Sequence, residues 1–208
     1  MILIACGLRA EAAIFAKLGL TAIAGGGDPV RLENNLRAHA GRASLILSAG
    51  VAGALDPSLD AGAIVLGPPD SPIAQYLREA LPEARLGTVT GAPAIVAEAG
   101  AKAALYAATR ATIVDMESHI AARIAHEAGL PFAFARTISD RADESLPPAA
   151  LVGMRPDGKV ALGRVLASIA ARPGQLPALL RTAKSAGAAF KALEQVAVAV
   201  AALPAQSA

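Results

Sequence analysis

The chain has 208 residues, enough for one domain with its own core, and a formal net charge of only +2. Hydrophobic residues make up 54% of it and aromatics 3%, so Ala, Leu, Val and Ile must do the packing. No run of about 18 apolar residues is free of charge, which excludes a membrane-spanning helix, and the lone Cys6 excludes an internal disulfide and fits a reducing, cytoplasmic setting.

The N-terminal segment MILIACGLRAEA lacks the basic start and long apolar run of a signal peptide. The charge is unevenly spread. Residues 159–208 carry six basic side chains (Lys159, Arg164, Arg172, Arg181, Lys184, Lys191) against Glu194, a net of +5, which leaves −3 for the rest. A basic, apolar-rich terminal region suits either a packed helix pair with a solvated face or contact with an anionic membrane surface.

In chain order, residues 1–6 read as a buried strand containing Cys6, residues 8–18 as a helix ended by Gly19, and residues 20–24 as a second strand. Gly25, Gly26 and Gly27 follow, then Asp28 as an N-cap and Pro29 at the first helical position of a run over 30–40. Strand, glycines and helix start form either a plain turn or a cradle of backbone N–H groups for an anion. Residues 44–48 read as a third strand. They run into Ala49-Gly50-Val51-Ala52-Gly53-Ala54, whose small side chains let a ligand approach the backbone. Strands at 63–66, 86–89 and 111–114 and helices at 73–81 and 95–108 come next. The alternation of continuously apolar strands with helices predicts an α/β fold: a largely parallel sheet covered on both faces.

Residues 115–128 read as a helix whose apolar arc holds Met116, Ile120, Ala121, Ile124 and Ala125. Glu117 falls inside that arc, where a carboxylate needs partners or a cavity, and it lies in the first turn, where the helix dipole favours an anion. Gly129 and Pro131 end the helix, and residues 132–138 form a strand. Arg136 lies on it, and Ser139 and Asp140 follow at its carboxyl end, where open α/β sheets bind ligands. Glu117, Arg136 and Asp140 therefore suggest one polar site in an apolar setting. The loop over 144–159 is a candidate lid or lining segment. Helices over 160–171 and from 177 to about 201 close the chain. His39, His119 and His126 lack metal-ligand spacing, and the basic region lacks the interleaved aromatics of a single-strand nucleic-acid binder.

Three motifs in order carry a family resemblance. SAGVAGALDPSLDAGAIVLG resembles the glycine-rich segment of the purine nucleoside phosphorylase and methylthioadenosine nucleosidase superfamily. Val114-Asp115-Met116-Glu117 resembles its ribose-binding motif, and Arg136-Thr137-Ile138-Ser139-Asp140 the strand end that carries its general acid. VDMESHIAARIA, SDRADESLPPAALVGMRPDGKV and RPGQLPALLR are further similar to the hopanoid-associated phosphorylases.

The resemblance implies a single three-layer nucleoside phosphorylase-like domain over residues 1–208. Its mostly parallel or mixed sheet is flanked by helices, with the basic C-terminal helices packed on it. It implies cleavage of the N-glycosidic bond of adenosylhopane with release of adenine, by phosphorolysis. Asp140 would protonate adenine N7 as the bond stretches. Glu117 would accept hydrogen bonds from the ribose 2′ and 3′ hydroxyls. Met116 would pack on the ribose beside Ser139, Gly50, Val51 and Ala52. Arg136 would orient the nucleophile or offset the paired acids, and the stretch from Thr90 through Ala94 to Ile95 would line the base. Arg9 with Gly25 and Gly26 would hold phosphate; in a hydrolase, Glu11 would activate water instead. No cofactor is implied beyond phosphate as co-substrate. The partners implied are the lipid-linked substrate, the inner membrane face as a peripheral contact, and further copies of the chain in a homo-oligomer, but no nucleic acid.

Two positions depart from the family pattern: Val51 stands where hydrolytic relatives have a hydroxyl, and Ala94 where relatives stack an aromatic on adenine. Few residues separate Gly67 from Leu86, which suggests an open, apolar 5′ pocket. The alternatives are a hydrolytic nucleosidase on the same or a small purine nucleoside, and a noncatalytic nucleoside- or lipid-binding protein.

Overall fold

A computed structural model describes residues 1–153 and 161–204. Its centre is an eight-stranded mixed sheet flanked by helices, the α/β architecture expected. Four strands run parallel in the order β2 (Thr21–Ala24), β1 (Ile2–Cys6), β3 (Leu45–Ala54) and β8 (Phe132–Asp140). β4 (Ile64–Gly67) pairs antiparallel with β8 and carries β5 (Arg85–Leu86) on its far edge. β7 (Ile113–Asp115) pairs antiparallel with the end of β3 and parallel with β6 (Val89–Gly91).

The apolar strands are buried from both sides. On one face Phe15 of α1 (Arg9–Ala16), Leu77 of α3 (Pro72–Ala80) and Leu193, Val196 and Val200 of α8 (Leu176–Ala201) cover Ile4, Leu47 and Ala135. On the other, Leu32 and Leu36 of α2 (Pro29–Ala40) and Ile120 and Ile124 of α5 (Ser118–Glu127) cover Leu3, Ala5 and Ile46. Cys6 belongs to the first cluster, where burial pushes its thiol up, as inert packing requires.

Asp28 caps α2 by accepting from the Arg31 amide at 3.0 Å, with Pro29 at the first helical position, as the sequence predicts. The remaining helices are α4 (Ala99–Thr109), α6 (Pro148–Gly153) and α7 (Leu162–Ala171), with a 3-10 turn at Pro173–Gln175. Residues 154–160 of the expected lid lie outside the described residues.

The stretch 144–159, expected as a loop, contains the short helix α6, β8 runs two residues further, to Asp140, and four other elements differ from expectation, each for a physical reason. α5 starts at Ser118 rather than at 115, because Asp115 ends β7 and accepts the amides of Glu117 and Ser118 at 3.2 and 3.0 Å. Its side chain takes donors that a further helical turn would have left open. Glu117 is thus the N-cap residue, not a member of the helix's apolar arc. β3 runs to Ala54, because its small residues pair in register with β8 up to a bulge at Ala52/Gly53. α4 starts at Ala99, where the Ser145 hydroxyl accepts the Ala99 amide at 3.0 Å; Ile95 and Val96 stay out of the helix. The expected strand at 86–89 is split into β5 and β6, which pair with different neighbours.

The antiparallel β4 matters for function. Gly67 pairs with Phe134, near the amino end of β8, whereas Asp140 is at its carboxyl end. The segment between Gly67 and Leu86 therefore leaves the sheet on the edge away from Asp140, and no residue of it lines the cavity described next. Its shortness does not open a 5′ pocket.

Candidate active site

At the carboxyl ends of β1, β3 and β8 lies a cavity of about 260 Å³. Its wall includes Glu11, Asp115, Glu117, Ser139 and Asp140 among the apolar side chains of Leu8, Val51, Ala52, Ala94, Ile95, Val96, Val114, Met116 and Leu146. The structure thus brings together Glu11, Glu117, Asp140, Met116, Ser139, Val51, Ala52, Ala94, Ile95 and Gly26. Gly50, Arg136, Arg9 and Gly25 do not line it.

Each acid is held by a different device. Glu11, on the first turn of α1, is buried and accepts from the Leu8 amide at 2.8 Å and the Val51 amide at 2.9 Å. Burial raises its pKa, an effect opposed by Arg136 and by the backbone donors. Glu117 is raised to about 7, chiefly by burial, with Arg136 pulling it down and Asp115 and Glu11 pushing it up. Asp140 ends β8. Its Oδ2 takes a hydrogen bond from Lys102 Nζ at 2.5 Å, and its Oδ1 lies 2.7 Å from the Ser139 hydroxyl. That hydroxyl is also 3.2 Å from the Ala52 carbonyl, so its single proton has two acceptors in reach.

Three glycines make room for these three carboxylates. A Cβ on Gly7 would sit 2.7 Å from Glu117 Oε1, one on Gly50 2.7 Å from Glu11 Oε1, and one on Gly53 3.2 Å from Asp140 Oδ2. Gly50 serves the site as a space for Glu11, not as a wall, and its φ of 152° adds to its need to be glycine.

Arg136 lies behind the cavity rather than in it, with no exposed surface. Its Nη2 donates to Ser48 Oγ at 2.6 Å and lies 3.4 Å from Glu117 Oε2, and its Nη1 donates to the Val51 carbonyl at 3.3 Å. Its Nε is 2.7 Å from Asp115 Oδ2 but off-line for a hydrogen bond, so this contact is an ion pair. Ser118 Oγ closes the cluster by donating to Asp115 Oδ2 and lying 3.0 Å from Ser48 Oγ. The guanidinium stands beside Asp115 and Glu117, whereas the acids it was expected to offset are Glu117 and Asp140.

Lys102 was not foreseen. It is buried on α4, and besides Asp140 it donates to the carbonyls of Arg141 at 2.7 Å and Glu144 at 2.9 Å, using all three of its protons. In the sequence it is the single charge of an alanine-rich helix, AGAKAALYAAT, and that isolation is the signal that was available.

The expected phosphate cradle is not formed by the glycine turn. The Gly25 amide donates to the Cys6 carbonyl at 3.0 Å and the Gly26 amide to the Gly7 carbonyl at 2.6 Å, while Arg9 is exposed. The turn stitches β2 to β1 and leaves those two N–H groups no proton to offer.

The sheet order, the carboxyl-end cavity and the buried acids define a protein of the nucleoside phosphorylase and nucleosidase fold. Residues 69–171, just under half of the chain, match the profile of the phosphorylase superfamily. Among solved structures, the chain is similar to a mutant futalosine hydrolase of Helicobacter pylori. They share 18% identity over 94% of this chain and 97% of that one, with a TM-score of 0.63. It is also similar to the Helicobacter pylori 5′-methylthioadenosine/S-adenosylhomocysteine nucleosidase (17%, 94% and 96%, TM-score 0.63). The corresponding nucleosidase of Colwellia psychrerythraea, in complex with adenine, is 14% identical over 95% and 94%, with a TM-score of 0.64. No curated protein sequence matches the chain.

Proposed function

We propose that the protein cleaves the N-glycosidic bond of a purine nucleoside with a large apolar 5′ group, releasing adenine from adenosylhopane. The observation that carries the reading is the meeting of Glu117 and Asp140 on one small, mostly apolar cavity. Its volume, about 260 Å³, falls just below the ~300–1,000 Å³ of typical small-molecule sites. A nucleoside fills such a space, and a triterpenoid would have to leave through the mouth.

In the proposed reaction the C1′–N9 bond stretches, positive charge develops on the ribose, and electrons flow into the purine. Asp140 must first regain a proton from solvent, against the pull of Lys102 on its Oδ2; it then donates that proton to N7, so adenine departs neutral. Glu117, ionised, accepts from the two ribose hydroxyls and lies close to the developing cation, where its charge is worth more than in water. Met116 packs on the sugar, and Ala94 and Ile95 with Val96 flank the base. Ala94 supplies no stacking ring, so base affinity rests on burial.

The resemblance to the hopanoid-associated branch implies phosphate as nucleophile. The charges lining the cavity favour water. Among the described residues four acids (Glu11, Asp115, Glu117 and Asp140) and no Lys or Arg line the cavity, and a phosphate dianion there would meet like charge without a counter-ion. Glu11, raised by burial, is suited to take a proton from water. Hydrolysis adds the elements of water across the bond and yields adenine and the free sugar; phosphorolysis would yield a sugar 1-phosphate.

The test is purified protein with adenosylhopane in detergent, following adenine with and without phosphate. Equal release in both arms supports hydrolysis, and release only with phosphate supports phosphorolysis and overturns the assignment of water. Cleavage of small adenosine nucleosides but not of adenosylhopane removes the lipid substrate. Tight nucleoside binding without any release would favour the noncatalytic reading.

A further inference from the structure

α8 has 26 residues and is about 39 Å long, yet every buried side chain on it lies at or beyond Ala189. Its first half, Leu176 to Ala188, carries no buried side chain, and α6 and α7 are tied to its start. Gln175 ties the three together: its Oε1 accepts the Ala149 amide at 2.9 Å, and its Nε2 donates to the Ser168 carbonyl at 2.7 Å. α6 begins two residues after Leu146, which lines the cavity, so this unit stands beside the cavity.

Its surface combines two properties. Leu166 and Leu180 are 64% and 63% exposed, and Leu151, Val152 and Leu176 are exposed as well. Arg164, Arg172, Arg181 and Lys184 are exposed among them. From Ser145 to Leu193 the described residues include no Asp or Glu. Elsewhere acids and bases intermix, as where Glu33 and Glu127 pair with Arg37 and Arg123 between α2 and α5.

We propose that the α6–α7–α8 unit docks the protein on an anionic lipid surface, with its exposed leucines entering the interface and its arginines and Lys184 facing headgroup phosphates. Five of the eleven exposed large hydrophobic side chains among the described residues fall on α6, α7 and the first half of α8, and clustered rather than scattered exposed apolar side chains mark a contact surface. The charge then selects the partner. A second copy packed by two-fold symmetry would bring the same basic side chains face to face. A nucleic-acid backbone would use the arginines but leave the leucines in water. An anionic bilayer satisfies both groups at once. The inference rests on exposure and charge and does not depend on the proposed reaction.

The test is co-sedimentation of the full chain with vesicles of phosphatidylcholine alone and of phosphatidylcholine with about a third phosphatidylglycerol, at low and high salt. Binding is expected to the anionic vesicles alone and to weaken with salt. Arg164→Glu with Arg181→Glu should weaken it at least about tenfold, as should Leu166→Ser with Leu180→Ser, each variant checked for an unchanged melting temperature. If either pair loses its fold, Lys184→Glu and Leu166→Ser alone replace them. Equal binding to both vesicle types, binding to neither, or binding that the variants do not change would overturn the proposal. So would a concentration-dependent dimer, lost in the leucine variants, from a protein that ignores vesicles; that result would assign the face to a second copy.

Discussion

Lys102 Nζ lies 2.5 Å from Asp140 Oδ2, and the lysine has no surface in contact with water. A buried pair of this kind costs little when both partners are present and much when one is removed. Lys102→Met and Asp140→Asn are therefore each expected to destabilise the fold by about 3–5 kcal/mol. The double variant should recover much of that loss. Turnover should stay absent from the double variant, since the group that would protonate adenine is gone. Urea denaturation of the three variants together with adenine release separates the two roles. A stable double variant that still cleaves would remove Asp140 as the acid.

Glu117 supplies a pH dependence whose sign follows from its burial. Its pKa is raised from 4.5 to about 7, so between these values the folded protein holds a proton that the unfolded chain has lost. Its contribution is most favourable below about 4.5, declines as pH rises, and is fully lost above about 7, a swing on the order of 3 kcal/mol. Glu117→Gln should raise stability at pH 8 and flatten the profile between pH 5 and 8, read from melting temperatures across that range. In the wild type kcat/KM should rise with pH through about 7, because only the ionised carboxylate accepts both ribose hydroxyls. An unchanged acidic limb in Glu117→Gln would mean that another group titrates.

Glu11→Gln tests the nucleophile's partner. Gln keeps an acceptor for one of the two amides that hold Glu11 and removes a charge that burial opposes. The variant should fold at least as well as the wild type at pH 8 and lose turnover by roughly 10²–10⁴-fold. Full activity would leave Glu11 a structural brace for Leu8 and Val51.

Arg136→Met leaves Asp115 and Glu117 without their shared cation. A loss of about 3–5 kcal/mol is expected, since two buried carboxylates remain. Arg136→Lys should recover only part of it, because an ammonium cannot reach Asp115, Ser48 and the Val51 carbonyl in one plane. Thermal melts of both variants check the order.

Much of the site was legible because its acids stand out against apolar surroundings. Asp140 at a strand end could be read without coordinates; Glu117 stood out through a helical phase that the structure corrects, since it is the N-cap of α5. Lys102 could not, because a lysine among alanines reads as a solvated helix face until its loop partners at Arg141 and Glu144 are known. Nor could the direction of β4. Continuous apolar character tells that a strand is buried, not which way it runs, so the stretch after Gly67 was assigned to the wrong end of the sheet. The start of α5 was misplaced because Asp115 serves both as a strand end and as the acceptor for the helix's first amides, and periodicity does not register the second role. Phosphate binding at Gly25 and Gly26 was read from the residue types; the carbonyls of Cys6 and Gly7, which take those amides, come from a different strand.

Gly7, Gly50 and Gly53 each face one carboxylate. The acidic constellation is therefore written at six positions as three locks, in which the glycine cannot gain a side chain while its acid keeps its length. In a deep mutational scan selected for folding, alanine should fail at Gly7 and Gly50 while Glu117 and Glu11 are present. At Gly7 it should become tolerable once Glu117 is shortened; at Gly50 shortening Glu11 should help only in part, because the φ of 152° still disfavours a side chain. Gly53, with 3.2 Å of clearance to Asp140, should bend first. Three coupled pairs in such a map would identify this pocket in distant sequences in which no single motif survives.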